Sequence, residues 1–154
     1  MKKVIVLSKR IFDKTMRDNK INIDNVEERT KVAFISINDT FETDEKPFFA
    51  HDKKNVRVLF FDDVTEDMEL AWGTARCFTK EQGIKVIEFL DEIKDVDTLI
   101  VHCAAGVSRS GAVGKFAAEY LGVDYNEFRN TNPQIHPNNT VTRILKNIVN
   151  GYEA

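Results

Sequence analysis

Two side chains in this 154-residue chain are spaced to act together, Cys103 and Arg109, separated by five residues in the stretch Val101-His102-Cys103-Ala104-Ala105-Gly106-Val107-Ser108-Arg109-Ser110. A thiolate is a strong nucleophile, and a planar guanidinium holds two oxygens of an oxyanion at once. The run Thr98-Leu99-Ile100-Val101 before them is apolar and β-branched, which predicts a buried parallel strand. The residues from Ser110 to Leu121 are small and apolar at helical spacing, which predicts a helix. A strand, a tight loop and a helix in that order make an anion site, because free N–H groups of the loop and of the first helical turn point at the ligand. Cys103 opens this loop, where converging N–H dipoles depress a thiol pKa.

Cleaving an ester of such an anion requires a proton for the departing oxygen, and a positioned carboxylic acid supplies one. Asp62 and Asp63 follow the predicted strand Val56-Arg57-Val58-Leu59-Phe60-Phe61. In an open α/β sheet the C-terminal ends of the strands form the edge where ligands bind. The plainer alternative makes both carboxylates turn residues or caps of a following helix.

The loop His-Cys-Ala-Ala-Gly-Val-Ser-Arg-Ser resembles that of the protein tyrosine phosphatase superfamily, and within it the dual-specificity branch and compact bacterial and viral tyrosine-phosphatase-like proteins. Arsenate reductases and rhodanese-like phosphatases share the Cys-to-Arg spacing, but the flanking His102, central Gly106 and terminal Ser108-Arg109-Ser110 narrow the likeness. The resemblance implies a two-step displacement through a cysteinyl-phosphate, with no cofactor and no metal. It implies Cys103 as nucleophile and Arg109 as phosphate clamp. The amides of Ala104, Ala105, Gly106, Val107, Ser108 and Arg109 would cradle the phosphate oxygens. His102 would orient and stabilise the thiolate, and Ser110 would hydrogen-bond the sulfur. The superfamily's acid points to Asp63, with Asp62 as the alternative; the longer gap to Cys103 marks an insertion within residues 66–79. The implied substrate is phosphotyrosine in a protein or peptide, with phosphoserine and phosphothreonine left open. The loop lacks the lysines that inositol-phospholipid phosphatases carry there. Two other readings stay open: a phospho-binding pseudophosphatase, and a thiol-based arsenate or redox enzyme using Cys77 as second thiol.

The elements that must position these groups read as strand, strand, strand, helix, strand, loop and helices. That order predicts an α/β fold, a central, mainly parallel sheet of four or five strands flanked by helices, and the resemblance implies the cysteine-phosphatase, dual-specificity-like version of it. One phosphatase domain over 1–154 is expected, with residues 1–30 outside the resemblance. Strands are expected at Lys3–Leu7 and Lys31–Ile37, and residues 8–25 read as an irregular or short helical excursion. Thr65, followed by Glu66 and Asp67, predicts the start of a helix through Trp72, with Trp72 in the core. Thr79-Lys80-Glu81-Gln82 opens a helix whose apolar face is Ile84, Ile87, Phe89, Leu90 and Ile93. Asn138 or Asn139 caps a last helix; His136 and Asn138 are also candidates for the rim of the site. Eleven Phe point to a well-filled core, and a net charge of −3 gives no overall basic footprint for nucleic acid. There is no apolar run of membrane length, and two cysteines do not make a secreted disulfide framework, so a cytoplasmic location is expected.

Overall fold

The computed structural model describes residues 1–41 and 46–151. Four β-branched runs become β1 (Lys3–Ser8), β2 (Val32–Asn38), β3 (Val56–Phe60) and, after a short hairpin, β6 (Thr98–Cys103). They form one parallel sheet in the order β1-β6-β2-β3, with Ser8 level with Cys103 and Ser36 level with His102. All four C-terminal ends therefore meet on one edge. Alternation along β6 sends Leu99, Val101 and Cys103 into one core and Ile100 into the other.

Helices cover both faces. On the first lie α2 (Lys80–Glu92), α3 (Arg109–Tyr120), α4 (Tyr125–Thr131) and α5 (Asn139–Asn150). Thr79 and Gln82 form a reciprocal capping box on α2, and Asn138 caps α5 through the N–H groups of Thr140 and Val141. Helix α3 is buried on nearly every side because Gly114 lets it approach β1, where a Cβ would stand 2.6 Å from Val6. The second face is covered by α1 (Lys9–Asp18), with Phe12, Met16, Phe34 and Phe49 packed together. The outer edge of β1 is closed by an amide: Val6 N–H donates to Asn132 Oδ1, and Asn132 Nδ2 donates to the Val4 carbonyl. Among the described residues no helix is long and apolar enough to cross a membrane.

Three expectations fail and a fourth is narrowed. Residues 9–18 form a full ten-residue helix, because Ser8 caps Ile11 N–H and Phe12 and Met16, four apart, make a buried stripe. No helix forms at Thr65–Trp72. The chain makes an antiparallel hairpin of β4 (Met68–Leu70) and β5 (Gly73–Ala75), since Gly73 sits at φ +141° and Met68, Leu70 and Trp72 have no core to cover. Trp72 is consequently 51% exposed and its ring packs on Phe41, ring centroids 4.4 Å apart. The buried face of α2 is also turned slightly from the expected one: Val86 lies inside and Ile84 faces out.

Candidate active site

The loop after β6 wraps around the Cys103 sulfur. Four of its carbonyls are tied from outside: Lys9 N–H donates to the Ala104 carbonyl, Gln134 Nε2 to that of Gly106, His136 N–H to that of Val107 and Asn138 N–H to that of Ser108. The N–H groups of Ala104, Ala105, Val107, Ser108 and Arg109 have no protein acceptor among the described residues. A loop with its carbonyls tied outside and its N–H groups unspent is a built anion cradle. Gly106 makes it possible, at φ +72° with the backbone of Leu7 and Ser8 against its Cα; a Cβ would stand 2.4 Å from Ser8 N.

Cys103 is 2% exposed. Its sulfur accepts the Gly106 N–H at 3.3 Å and lies 3.0 Å from the Ser110 hydroxyl. His102 turns to the other face of the sheet, where its ring stacks on Phe12 at 4.0 Å and its Nε2 meets the Ser36 hydroxyl at 2.7 Å. Burial pulls the His102 pKa down to about 4, against the opposing pull of the Cys103 backbone and Asp13. Burial thus favours the neutral imidazole, whose bond to Ser36 ties β6 to β2.

Arg109 is 5% exposed, and its Nη1 donates to Asp39 Oδ1 and to the Phe61 carbonyl, both at 2.8 Å. Its buried Nε has no partner. One nitrogen is anchored and the other edge of the guanidinium is unspent, as a clamp awaiting two oxygens would be. Asp39, the residue directly after β2, is a site residue that the sequence candidates did not include. The strand-end argument that singled out Asp62 and Asp63 applies to it equally, but its pairing with Arg109 depends on the order of the strands in the sheet.

The two carboxylates after β3 have different surroundings. Asp62 is 4% exposed; it accepts from the Thr40 hydroxyl at 2.6 Å, the Arg76 N–H at 2.8 Å and the Thr40 N–H at 3.0 Å. Burial alone would raise its pKa, yet these donors and the Arg109 charge hold it below the ordinary carboxylate value. Both oxygens are engaged, and the group works as a tie between the end of β2 and the strand returning from the hairpin. Asp63 is exposed and reaches the loop: its Oδ1 accepts from the Ser108 hydroxyl at 2.8 Å and from Asn138 Nδ2 at 3.0 Å. Asn138 therefore caps α5 and touches the site at once, whereas His136 contributes its backbone.

The pairing at Asp62 sets a stability prediction. A carboxylate whose pKa is lowered by folding stabilises the protein above its unfolded pKa, about 4, and loses that contribution as pH falls through the lower folded value. Asp62→Asn is expected to cost about 2–4 kcal/mol at pH 7. In urea unfolding the gap from the parent should narrow steadily below pH 4; a gap unchanged at pH 3 would refute the tie.

A cavity of about 410 Å³ opens beside Ala104, with Ile37, Phe41, Pro47 and Phe60 as apolar walls and Lys9, Asp39 and Lys46 among its polar ones. Among the described residues no group of three His, Cys, Asp or Glu side chains could hold a metal ion. Cys77 lies apart on the hairpin side, its N–H donating to Asp67; burial, then the Asp67 carboxylate, raises its pKa.

No protein-family model matches this chain, and no curated protein matches it. Among solved structures it is similar to the human tyrosine phosphatase-like serine/threonine/tyrosine-interacting protein, at 20% identity and a TM-score of 0.49, over 86% of this chain and 87% of that one.

Proposed function

We propose that this chain is a cysteine-dependent phosphatase of the protein tyrosine phosphatase superfamily, hydrolysing phosphotyrosine in proteins or peptides. One observation carries the reading: five unspent loop N–H groups and the free edge of Arg109 surround one buried cysteine sulfur. No acceptor among the described residues uses them, and a bound phosphate offers the acceptors they lack. The aromatic and proline walls of the adjoining cavity suit the ring of an aryl phosphate. A nucleophilic thiol and a second free cysteine, with no disulfide between them, suit a reducing, cytoplasmic setting.

In the first step the Cys103 sulfur forms a bond to phosphorus and the ester P–O bond breaks. Gly106 N–H and the Ser110 hydroxyl stabilise charge on the sulfur, while Arg109 and the loop amides stabilise the phosphoryl oxygens. Asp63 gives its proton to the leaving oxygen; both of its hydrogen bonds fall on Oδ1, which leaves Oδ2 for this work. In the second step water attacks phosphorus, its proton passes to the Asp63 carboxylate, and the S–P bond breaks to release phosphate. The redox alternative needs a ready second thiol, and the raised pKa of Cys77 works against it.

The test is hydrolysis of para-nitrophenyl phosphate across pH, with EDTA present and rapid acid quench to trap the phosphoenzyme. The expected result is a bell-shaped profile that the chelator leaves unchanged, with phosphate trapped on Cys103. In Asp63→Asn the rate should fall about 10²–10³-fold and the alkaline limb should disappear. Absence of turnover with retained phosphopeptide binding would replace this reading by a phosphate-capturing module.

A further inference from the structure

The β4–β5 hairpin carries an apolar surface that the fold leaves uncovered. Phe41, Phe60, Met68, Leu70 and Trp72 are each 40–51% exposed, and none belongs to either core. We propose that this surface docks an apolar stretch of the phosphorylated partner, one flanked by basic residues and lying beside the phosphotyrosine. The proposal rests on the phosphatase reading above and adds the chemistry of the substrate's flank.

Met68 and Leu70 are two apart in β4 and share one face of the hairpin. Glu69 takes the other face, where its Oε1 accepts from the Thr74 hydroxyl at 2.9 Å. The base of the hairpin is fixed. Asp62 N–H donates to the Arg76 carbonyl at 2.6 Å, Arg76 N–H returns to Asp62 Oδ2 at 2.8 Å, and Cys77 N–H donates to Asp67 Oδ1 at 2.9 Å. Apolar side chains held outside both cores on a tied hairpin make a preformed contact surface. That surface runs into the candidate site: Phe41 and Phe60 are walls of the cavity beside Ala104, and Trp72 packs on Phe41. An occupant of the hairpin therefore belongs to the molecule that fills the cavity.

Charge selects among occupants. Glu66, Asp67 and Glu69 all lie on or just before β4, and only Asp67 faces a cation, Arg76 at 3.8 Å. Glu66 and Glu69 have no ion-pair partner among the described residues. A second copy of this chain, packed here about a two-fold axis, would set these carboxylates against their own copies. A peptide with Leu on the apolar face and Arg beside it answers both features. Alternate side chains of an extended peptide point the same way, about 7 Å apart, so a residue two positions from the phosphotyrosine continues along this surface.

The experiment compares kcat/KM for matched phosphotyrosine peptides carrying, two and three positions away on either side, Leu-Arg, Leu-Glu or Ala-Ala. The Leu-Arg peptide is expected to exceed Ala-Ala by about tenfold, as covering roughly 60 Å² of apolar surface supplies. It should exceed Leu-Glu by about threefold at low salt, a gap that closes at high salt. Both preferences should vanish in Met68→Ser/Leu70→Ser, whose para-nitrophenyl phosphate turnover stays at the parent level because neither residue lines the cavity. Trp72 is the single tryptophan of the chain, so its fluorescence reports on the hairpin alone. Its emission should shift to the blue with a non-hydrolysable phosphonate version of the Leu-Arg peptide and stay in place with that of Ala-Ala. Equality of Leu-Arg with either other peptide, a preference that survives the double variant, or a preference without the shift overturns the proposal. A blue shift that grows with protein concentration in the absence of peptide overturns it in favour of a second copy. Should para-nitrophenyl phosphate not turn over, the phosphatase reading fails separately, and titration of Trp72 with the same phosphonate peptides still decides the docking surface.

Discussion

Cys103→Ser is expected to abolish phosphate release, lowering kcat by roughly 10⁵-fold or more, while the protein still folds and still binds phosphopeptide. The size follows from what the sulfur does: without it no S–P bond forms, and the surroundings alone cannot replace covalent chemistry. Folding survives because the hydroxyl is close in shape to the thiol and inherits both neighbours, the Gly106 N–H and the Ser110 hydroxyl. Binding survives because the cradle is backbone, held from outside by Lys9, Gln134, His136 and Asn138. The measurements are steady-state turnover, thermal unfolding and titration with a labelled phosphopeptide. Residual turnover above a thousandth of the parent rate would mean that Cys103 is not the nucleophile.

Arg109→Lys is expected to lower kcat/KM by about 10³-fold, the usual range for a removed oxyanion or phosphoryl clamp. Charge is conserved, so the loss reports geometry. A lysine ends in one nitrogen and cannot both hold the Asp39 carboxylate and the Phe61 carbonyl and present a second edge to phosphate. Asp39 acts through that arginine and is a positioning residue. Asp39→Asn should therefore cost about tenfold in the parent and nearly nothing once Arg109 is Lys, the non-additivity of partners in one network. Equal losses in both backgrounds would show that Asp39 acts independently of the clamp.

The strands and the loop from Cys103 to Arg109 were legible because each is written locally. Val56–Phe60 and Thr98–Cys103 are β-branched runs, and Gly106 lies where only glycine tolerates the approach of β1. The different surroundings of Asp62 and Asp63 were less legible for a physical reason. Asp62 and Asp63 are neighbours in extended chain, so one points in and the other out, and the choice is made by Arg76, fourteen residues later. That residue lies just past the hairpin that stands in place of the expected helix, where acidic residues after Thr65 imitate a helix start although no apolar stripe follows. Helix α1 was obscured for the opposite reason: two buried side chains and a serine cap suffice when the sheet supplies the rest. The clamp's anchor at Asp39 needed the sheet order to be seen, since only side-by-side β2, β3 and β6 bring residues 39, 61 and 109 together.

The amide that closes the outer edge of β1 has a consequence for synthesis. Val6 and Asn132 are 126 residues apart, and the inner partner of β1, starting at Thr98, is also distant. At about 5–20 residues per second, β1 waits roughly 6–25 s on the ribosome before its outer edge is covered. For that interval Val4-Ile5-Val6-Leu7 is an apolar strand with two open sides, the kind of segment that pairs with other chains. Lys2 and Lys3 before it and Lys9 and Arg10 after it are the flanking charges that discourage such pairing. The basic start of α1 thus guards the nascent chain long before the phosphate loop beside it exists.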